Sequence, residues 1–209
     1  MPSQRVEIPI GKQQTVARSP FVSSESLTNC FVERLPNGVE AIYGAFGLTQ
    51  YGEIGDGYIR GQRVLGGVQY AVAGANLYSV DSNGDETLIG AVPGYDPVVM
   101  SDNGTQVVIV SDSTSHVYET ETGVYAQIND PDFRIASSVD FIDQYNIFTA
   151  DDSSYWFISQ LADATDYDAL DVQTAEAPPD KLRRVFVDSG EVLLVGEHTV
   201  EGRYGARTS

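Results

Sequence analysis

A single cysteine, two histidines and twelve basic residues are all that this 209-residue sequence holds of the residue types on which many common functions depend. Cys30 has no partner for an intrachain disulfide, so the fold needs no oxidising compartment and the thiol reads as a small buried apolar group. One cysteine and two distant histidines exclude a Cys/His zinc site. His116 and His198 fall in expected strands with no partner pattern, and no G-x-S-x-G elbow is present, so a nucleophilic hydrolase is not indicated. Phosphate-cradling glycine loops are also missing. Twelve basic residues against thirty acidic ones give a formal charge of -18, which repels a phosphate backbone and excludes tight nucleic-acid binding. No run approaches the roughly 20 apolar residues needed to cross a bilayer, and the start, MPSQRVEIPIGKQQ, lacks the apolar core of a signal peptide. The expectation is synthesis and folding in the cytoplasm. No catalytic, metal-binding or cofactor-binding residue is assigned, and no cofactor is expected.

What is present describes a folded protein: 42% hydrophobic residues and 10% aromatics exclude disorder. The acidic excess is uneven. Residues 101–180 hold sixteen acidic side chains and one basic one, Arg134. Such a region supplies solubility, a charge-patterned partner face, or a passage that does not retain DNA.

Helical periodicity is scarce, whereas short β-branched and aromatic runs bounded by Gly, Asn, Asp and Pro recur, which predicts an all-β fold. The clearest strands are 68–73, 106–110, 145–150 and 192–195. Asn83-Gly84 and Asn103-Gly104 lie between such runs as tight turns. A small residue closes each strand, at Ala73, Ser111, Ala150 and Gly196, with spacings of 38, 39 and 46. A period near the about 40–45 residues of a four-stranded blade points to a β-propeller-like array. Strands are expected at 59–64, 68–73, 76–80 and 86–90, then at 98–101, 106–111, 116–119 and 124–128. The third repeat opens at 137–142, but after Trp156-Phe157-Ile158 its fourth strand is read as replaced by an acidic excursion. In the last repeat Thr199-Val200 stands in the third-strand place, and no fourth strand follows. This gives repeats at about 59–94, 95–133, 134–180 and 181–209, after an amino-terminal segment, 1–58, that closes or docks the array. Three to four blades leave the array incomplete or open, and an open edge invites association.

Two weaker signals lie in the same hairpin segment. "DSNGDE", 81–86, places carboxylates as a calcium loop does, but its glycine is fourth instead of sixth and Val92 occupies the twelfth position, so a hairpin turn is expected. "SVDSNGDETL" resembles the Asp-box turn of sialidase propellers through Ser79, Asp81, Gly84 and Thr87, with one residue too many before the glycine. Paired carboxylates among thirty acids leave a carbohydrate-binding or glycan-hydrolysing propeller as the alternative function, with no residues assigned. A protein-binding host propeller has fold analogy alone behind it.

Several segments taken in order, "SLTNCFVERLPNG", "YIRGQRVLGGVQYAVAGANLYSV" and "SYWFISQLADATDYDALDVQTAEAPPDKLRRVFVDSGEVLLVGEHTVE", resemble the packaged-DNA stabilisation proteins, or tail hub proteins, of short-tailed bacteriophages. The positions that carry this are Asn29, Phe31, Glu33, Arg60-Gly61, Leu77-Tyr78, Trp156-Phe157-Ile158, Ala175-Glu176, Pro179-Asp180, Gly196, Thr199 and Glu201. The resemblance implies a structural virion protein with no enzyme activity. It implies a homo-oligomeric ring, a hexamer, below the portal and adaptor, which helps retain packaged DNA and extends the tail tube. Partners would be the portal or adaptor protein and a tail needle, fibre or tailspike, with DNA passing through the lumen unread and no membrane contact. Family chains are commonly about twice this length, and "GRYGARTS" stands where further strands are expected, which implies an open array completed by neighbours or a second protein. An acidic lumen would hinder DNA adhesion during passage. Within "SYWFISQLADATDYDAL" the aromatics are expected in the core and the aspartates in a solvated loop, and 161–179 is the candidate inter-subunit contact.

Overall fold

The computed structural model describes residues 29–34, 36, 38, 40–47, 52–112, 114–175 and 180–204. The opening MPSQRVEIPIGKQQ, Glu176, Pro179 and most of "GRYGARTS" therefore lie outside the described residues. Two compact units divide after Gln50. In the first, β1 (Cys30–Arg34) and β2 (Glu40–Gly44) form an antiparallel hairpin. Phe31 stacks on Tyr43 at 5.8 Å, and Asn29, at positive φ, accepts a hydrogen bond from the Ala45 amide.

The second unit is a series of four antiparallel sheets, each built from consecutive strands. The first contains β3 (Ile59–Leu65), β4 (Val68–Ala73), β5 (Asn76–Val80) and β6 (Glu86–Ala91). The next contains β7 (Val99–Asp102), β8 (Gln106–Val110), β9 (Ser115–Glu119) and β10 (Tyr125–Gln127). The third contains β11 (Ala136–Ile142), β12 (Tyr145–Ala150), β13 (Tyr155–Gln160) and β14 (Asp163–Thr174). Last come β15 (Leu182–Asp188), β16 (Glu191–Gly196) and β17 (Val200–Tyr204). No helix occurs among the described residues, and none is long and apolar enough to cross a membrane. The fold is all-β and its sheets are propeller-like blades.

The first strands of successive sheets, β3, β7, β11 and β15, pack one against the next. Apolar clusters fill each junction. Tyr70, Val72 and Leu77 meet Val107 and Ile109 between sheets one and two. Val108 and Val110 meet Val139, Phe148 and Phe157 between two and three. Ile147, Trp156 and Ile158 meet Val185, Val192 and Leu194 between three and four. A strand sandwiched in this way needs apolar residues on both faces, which is why β8 reads QVVIV with no alternation and is buried throughout.

The repeat seen in the sequence has a backbone cause. In sheets one, three and four a bulge at Ile59/Gly61, Ala136/Ser138 and Leu182/Arg184 sits opposite the small closing residues Ala73, Ala150 and Gly196. Just beyond it, the amides of Gly74, Asp151 and Glu197 donate to the carbonyls of Tyr58, Ile135 and Lys181 at 2.8–3.1 Å. The bulge turns the chain from one sheet into the next, and the small partner makes room for it.

Sheets one and two are also joined by Arg60-Gly61. The Arg60 guanidinium is buried and donates to the carbonyls of Asp96 (2.7 Å), Val92 (2.8 Å), Gly74 (3.1 Å) and Pro93 (3.4 Å), so it holds the strap between the sheets. A Cβ on Gly61 would lie 2.6 Å from Val98 Cγ2 and 2.8 Å from its carbonyl oxygen. Val98 precedes β7, a correction to the strand expected from 98: its amide donates to the Arg60 carbonyl at 3.0 Å instead of joining the sheet ladder. Asn83-Gly84 and Asn103-Gly104 form turns, with φ of 88° and 97° at the glycines. His198 is corrected as well, since it sits in the turn between β16 and β17, while His116 is in β9.

Replacing Arg60 by Met should remove the donors of the strap and lower unfolding free energy by about 3 kcal/mol. Gly61→Val should cost about 1–3 kcal/mol through overpacking. Urea melts of both variants test these values; unchanged midpoints would show the strap is not held in this way. His116 stacks on Tyr125 at 5.3 Å, and its burial pushes the imidazole below its ordinary value. A folded-state pKa depressed in this sense makes protonation favour the unfolded chain, so stability falls as pH drops through about 6.5. Thermal melts between pH 7.5 and 5 should show that loss, and His116→Phe should flatten it.

Candidate functional site

The acidic stretch after Trp156-Phe157 is the fourth strand of the third sheet, which corrects the expectation that the strand was replaced by a solvated loop. β14 pairs with β13 through Tyr155↔Thr174, Trp156↔Gln173 and Phe157↔Val172, then slips twice to reach Ser159↔Tyr167 and Gln160↔Asp163. Four residues, 168–171, stand opposite Ile158 alone, and three, 164–166, have no counterpart between Ser159 and Gln160. The strand therefore keeps its place while carrying two excursions. Ala175 confirms the equivalence: its amide donates to Ser154, as those of Val92 and Ile128 donate to Ala75 and Ser115, and all three side chains are buried.

The aspartates close the excursions. Asp163 Oδ1 accepts from the Thr165 amide (2.8 Å) and hydroxyl (2.7 Å), and Asp168 Oδ1 accepts from the Leu170 amide (2.9 Å). The signal in the sequence is Asp-Ala-x repeated five residues apart, an aspartate that bonds the amide two residues on. Burial alone would raise the Asp163 carboxyl, but the Thr165 bonds outweigh it and hold the group below the usual range.

The first excursion drives apolar groups inward. Ala164 is fully buried, its amide donating to Gln106 Oε1 of the second sheet at 2.9 Å. The Tyr167 hydroxyl donates to the Ala164 carbonyl at 2.8 Å, and burial pushes that phenol up. Its ring joins Phe133, Phe148 and Phe157 at centroid distances of 4.8–6.1 Å. The second excursion points outward: Leu170 is 87% exposed, and Leu161 is exposed beside the turn. The expected contact segment, 161–179, thus divides into a half that joins sheets two and three and a half that projects. Residues 176–179 of it are outside the described set.

Asp180, Gly196 and Thr199 form a single device. Asp180 Oδ1 accepts from the Glu197 amide, and Oδ2 accepts from the His198 and Thr199 amides and the Thr199 hydroxyl, at 2.8–3.0 Å. The bonds from the His198 turn hold this carboxyl below its usual range. A Cβ on Gly196 would lie 2.2 Å from Oδ2, so the glycine leaves space for the carboxylate. Asp180, Glu197 and His198 could otherwise suit a cation, but the Asp180 oxygens already take four protein donors and Glu197 is ion-paired to Arg183. The arrangement is a turn clamp.

Carboxylate pairing was the basis of the carbohydrate alternative. Asp112 is raised by burial, then by a hydrogen bond to Asp96 and its charge, with Arg60 opposing. A cavity of 200 Å³ beside Ser115, Asp130 and Phe133 has one carboxylate, and a groove of 530 Å³ beside Ile54, Gln62 and Val64 has none. In "DSNGDE", Asp81 accepts from the Asn83 and Asp85 amides at 2.8 and 2.9 Å, which is the hairpin expected.

With this geometry in place, the sequence matches the model of a family described as Bacteriophage P22 Gp10, beta-propeller, over residues 7–204. The chain belongs to this family. The family is one of phage structural proteins, and the resemblance drawn from the ordered segments is to the same group. No curated protein sequence matches. Among solved structures, the chain is similar to the computationally designed Ika4 protein (TM-score 0.54, 12% identity, 76% of this chain and 99% of that one). It is also similar to the designed Ika8 protein (0.53, 14%, 86% and 57%) and to YCF48 bound to D1 peptide (0.52, 13%, 70% and 54%). The chain thus spans little more than half of the last two. At these identities the likeness concerns the fold alone. Family positions now have physical roles: Arg60-Gly61 is the strap, Leu77 and Phe157 are core, and Asp180, Gly196 and Thr199 are the clamp.

Asp180→Ala should lower the melting temperature by several degrees and Thr199→Val by less, while Gly196→Ala should be tolerated better in the Asp180→Ala background than alone. Additive effects in that cycle would show that Gly196 does not serve the carboxylate.

Proposed function

We propose that this chain is a structural component of a phage tail or neck, assembled as a homo-oligomeric ring, a hexamer, below the portal and adaptor. The ring helps retain packaged DNA, extends the tail tube and contacts a tail needle, fibre or tailspike. The family match over residues 7–204 carries this reading. The charge supports it: sixteen acidic residues against one basic in 101–180 repel a phosphate backbone, so DNA can pass without being held. Several of these acids, Asp102, Asp130, Asp163, Asp168 and Asp180 among them, also accept backbone amides. One set of carboxylates can thus brace turns and keep a surface negative, which a basic protein built on the same turns could not do.

The test is deletion of the coding sequence in a phage that encodes the chain, with electron microscopy of purified particles. Wild-type particles should show the chain as a ring on the tail axis, and deletion particles should fill and then lose their DNA. Particles that retain DNA and eject it normally without the chain would overturn the proposal, and a ring with residues 101–180 on its outer wall would remove the lumen role.

A further inference from the structure

The sheets repeat one register, and a single position in it supplies a polar tie to the next sheet. Tyr70, Val108 and Ile147 lie at equivalent places before the closing residues Ala73, Ser111 and Ala150, and their cross-strand partners are Arg63, Ser101 and Asp140. Tyr70, Val108 and Ile147 each pack into the junction with the following sheet, so their partners face that sheet too. Arg63 pairs with Asp102 of the second sheet at 2.5 Å, and Asp140 accepts the Val187 amide of the fourth at 2.8 Å. Asp102 and Val187 hold the same place in their own sheets, opposite Val107 and Val192. In the third sheet that place belongs to Phe141, opposite Asn146. Ser101 therefore faces the Phe141–Asn146 pair across the middle junction.

The direct tie is missing there. Ser101 is 1% exposed, and its hydroxyl has no hydrogen-bond partner among the described residues. Asn146 is fully buried, and neither its Oδ1 nor its Nδ2 has a partner among them. Nearby backbone donors are already engaged: the Phe141 amide donates to Asp140 Oδ1 at 2.9 Å, and the Asn146 amide to Ser159 Oγ at 3.1 Å. Buried polar atoms left bare cost stability. The fold itself does not demand an amide here, because buried valines, Val107 and Val192, fill the place of Asn146 in the second and fourth sheets. Serine also ends short of the aspartate and arginine used at the flanking junctions, so its hydroxyl does not span the gap.

We propose that bound water bridges Ser101 Oγ of the second sheet to the Asn146 side-chain amide of the third. Water suits this set because it both donates and accepts: Oδ1 needs a donor, Nδ2 needs an acceptor, and a hydroxyl serves as either. A cation would leave Nδ2 without an acceptor. An internal water with about three polar partners is the usual pattern in folded proteins. It takes the part that Arg63 and Asp140 play at the other two junctions, so all three are tied by a polar link at the same register. The inference rests on register and burial and is independent of the position in a virion.

Nuclear magnetic resonance of the full chain tests it. The Asn146 Nδ2 protons should receive magnetisation from water through space, with the sign given by a water that tumbles with the protein. Relaxation dispersion of the solvent oxygen should count fewer long-lived internal waters in Asn146→Val, which copies the second and fourth sheets, than in the wild type. Ser101→Ala should lower the melting temperature by a few degrees in the wild type and raise it in the Asn146→Val background, where the hydroxyl has lost its water. If Asn146→Val does not fold, the transfer to the wild-type Nδ2 protons decides alone. No such transfer, an unchanged count of internal waters, or additive melting shifts would each overturn the proposal.

Discussion

A small sheet that is apolar on both faces has no stable free state in water, and every other feature of the second unit answers to that constraint. β8 and β12 bury residues toward both neighbours, so neither the second nor the third sheet is stable apart from the series. At about 25 cal/mol per Å² of apolar surface removed from water, each junction outweighs any single hydrogen bond in the unit. The aromatic group of Phe133, Phe148, Phe157 and Tyr167 adds edge-to-face and stacked contacts at the second junction.

Packing of this kind is non-directional, so something else must set where one sheet ends and the next begins. Polar devices do this at the junctions. Arg60 gathers four carbonyls of the first strap, and Asp102 pairs with Arg63 across the same junction at 2.5 Å. Gln106 ties the first excursion of β14 to the second sheet, and Asp140 accepts the Val187 amide at the third junction at 2.8 Å. A buried guanidinium is costly unless its donors are satisfied, and here four backbone carbonyls satisfy it, that of Val92 in a buried bond. The directed bonds make the strap specific where apolar contact alone would allow sliding.

How far this was legible in the sequence depends on the kind of signal. Strands such as 68–73 and 145–150 were readable because a sheet buried on both faces leaves an unbroken apolar run, and the period was readable because a bulge demands a small partner at Ala73, Ala150 and Gly196. β14 was not readable as a strand. Its two excursions interrupt the alternation, so Asp163, Asp166 and Asp168 fall where an unbroken strand would show apolar side chains. Local turn chemistry, Asp-Ala-x twice, carried the information that periodicity lost. The roles of Arg60, Gly61 and Asp180 were equally hidden, since each depends on backbone that lies 14 to 37 residues away: Gly74 and Pro93 for Arg60, Val98 for Gly61, and Glu197 for Asp180.

The acidic balance of the chain acquires a structural logic from the same devices. Aspartate closes a turn by accepting amides without needing a basic partner, so a fold made of short strands and many turns can accumulate carboxylates with little compensating charge. The resulting field is tolerable where the acids are spread over strands and turns of the middle sheets, and it falls toward the fourth sheet, where Lys181, Arg183 and Arg203 are paired with Asp152, Glu197 and Glu201. Repulsion among carboxylates is therefore concentrated on the middle of the series.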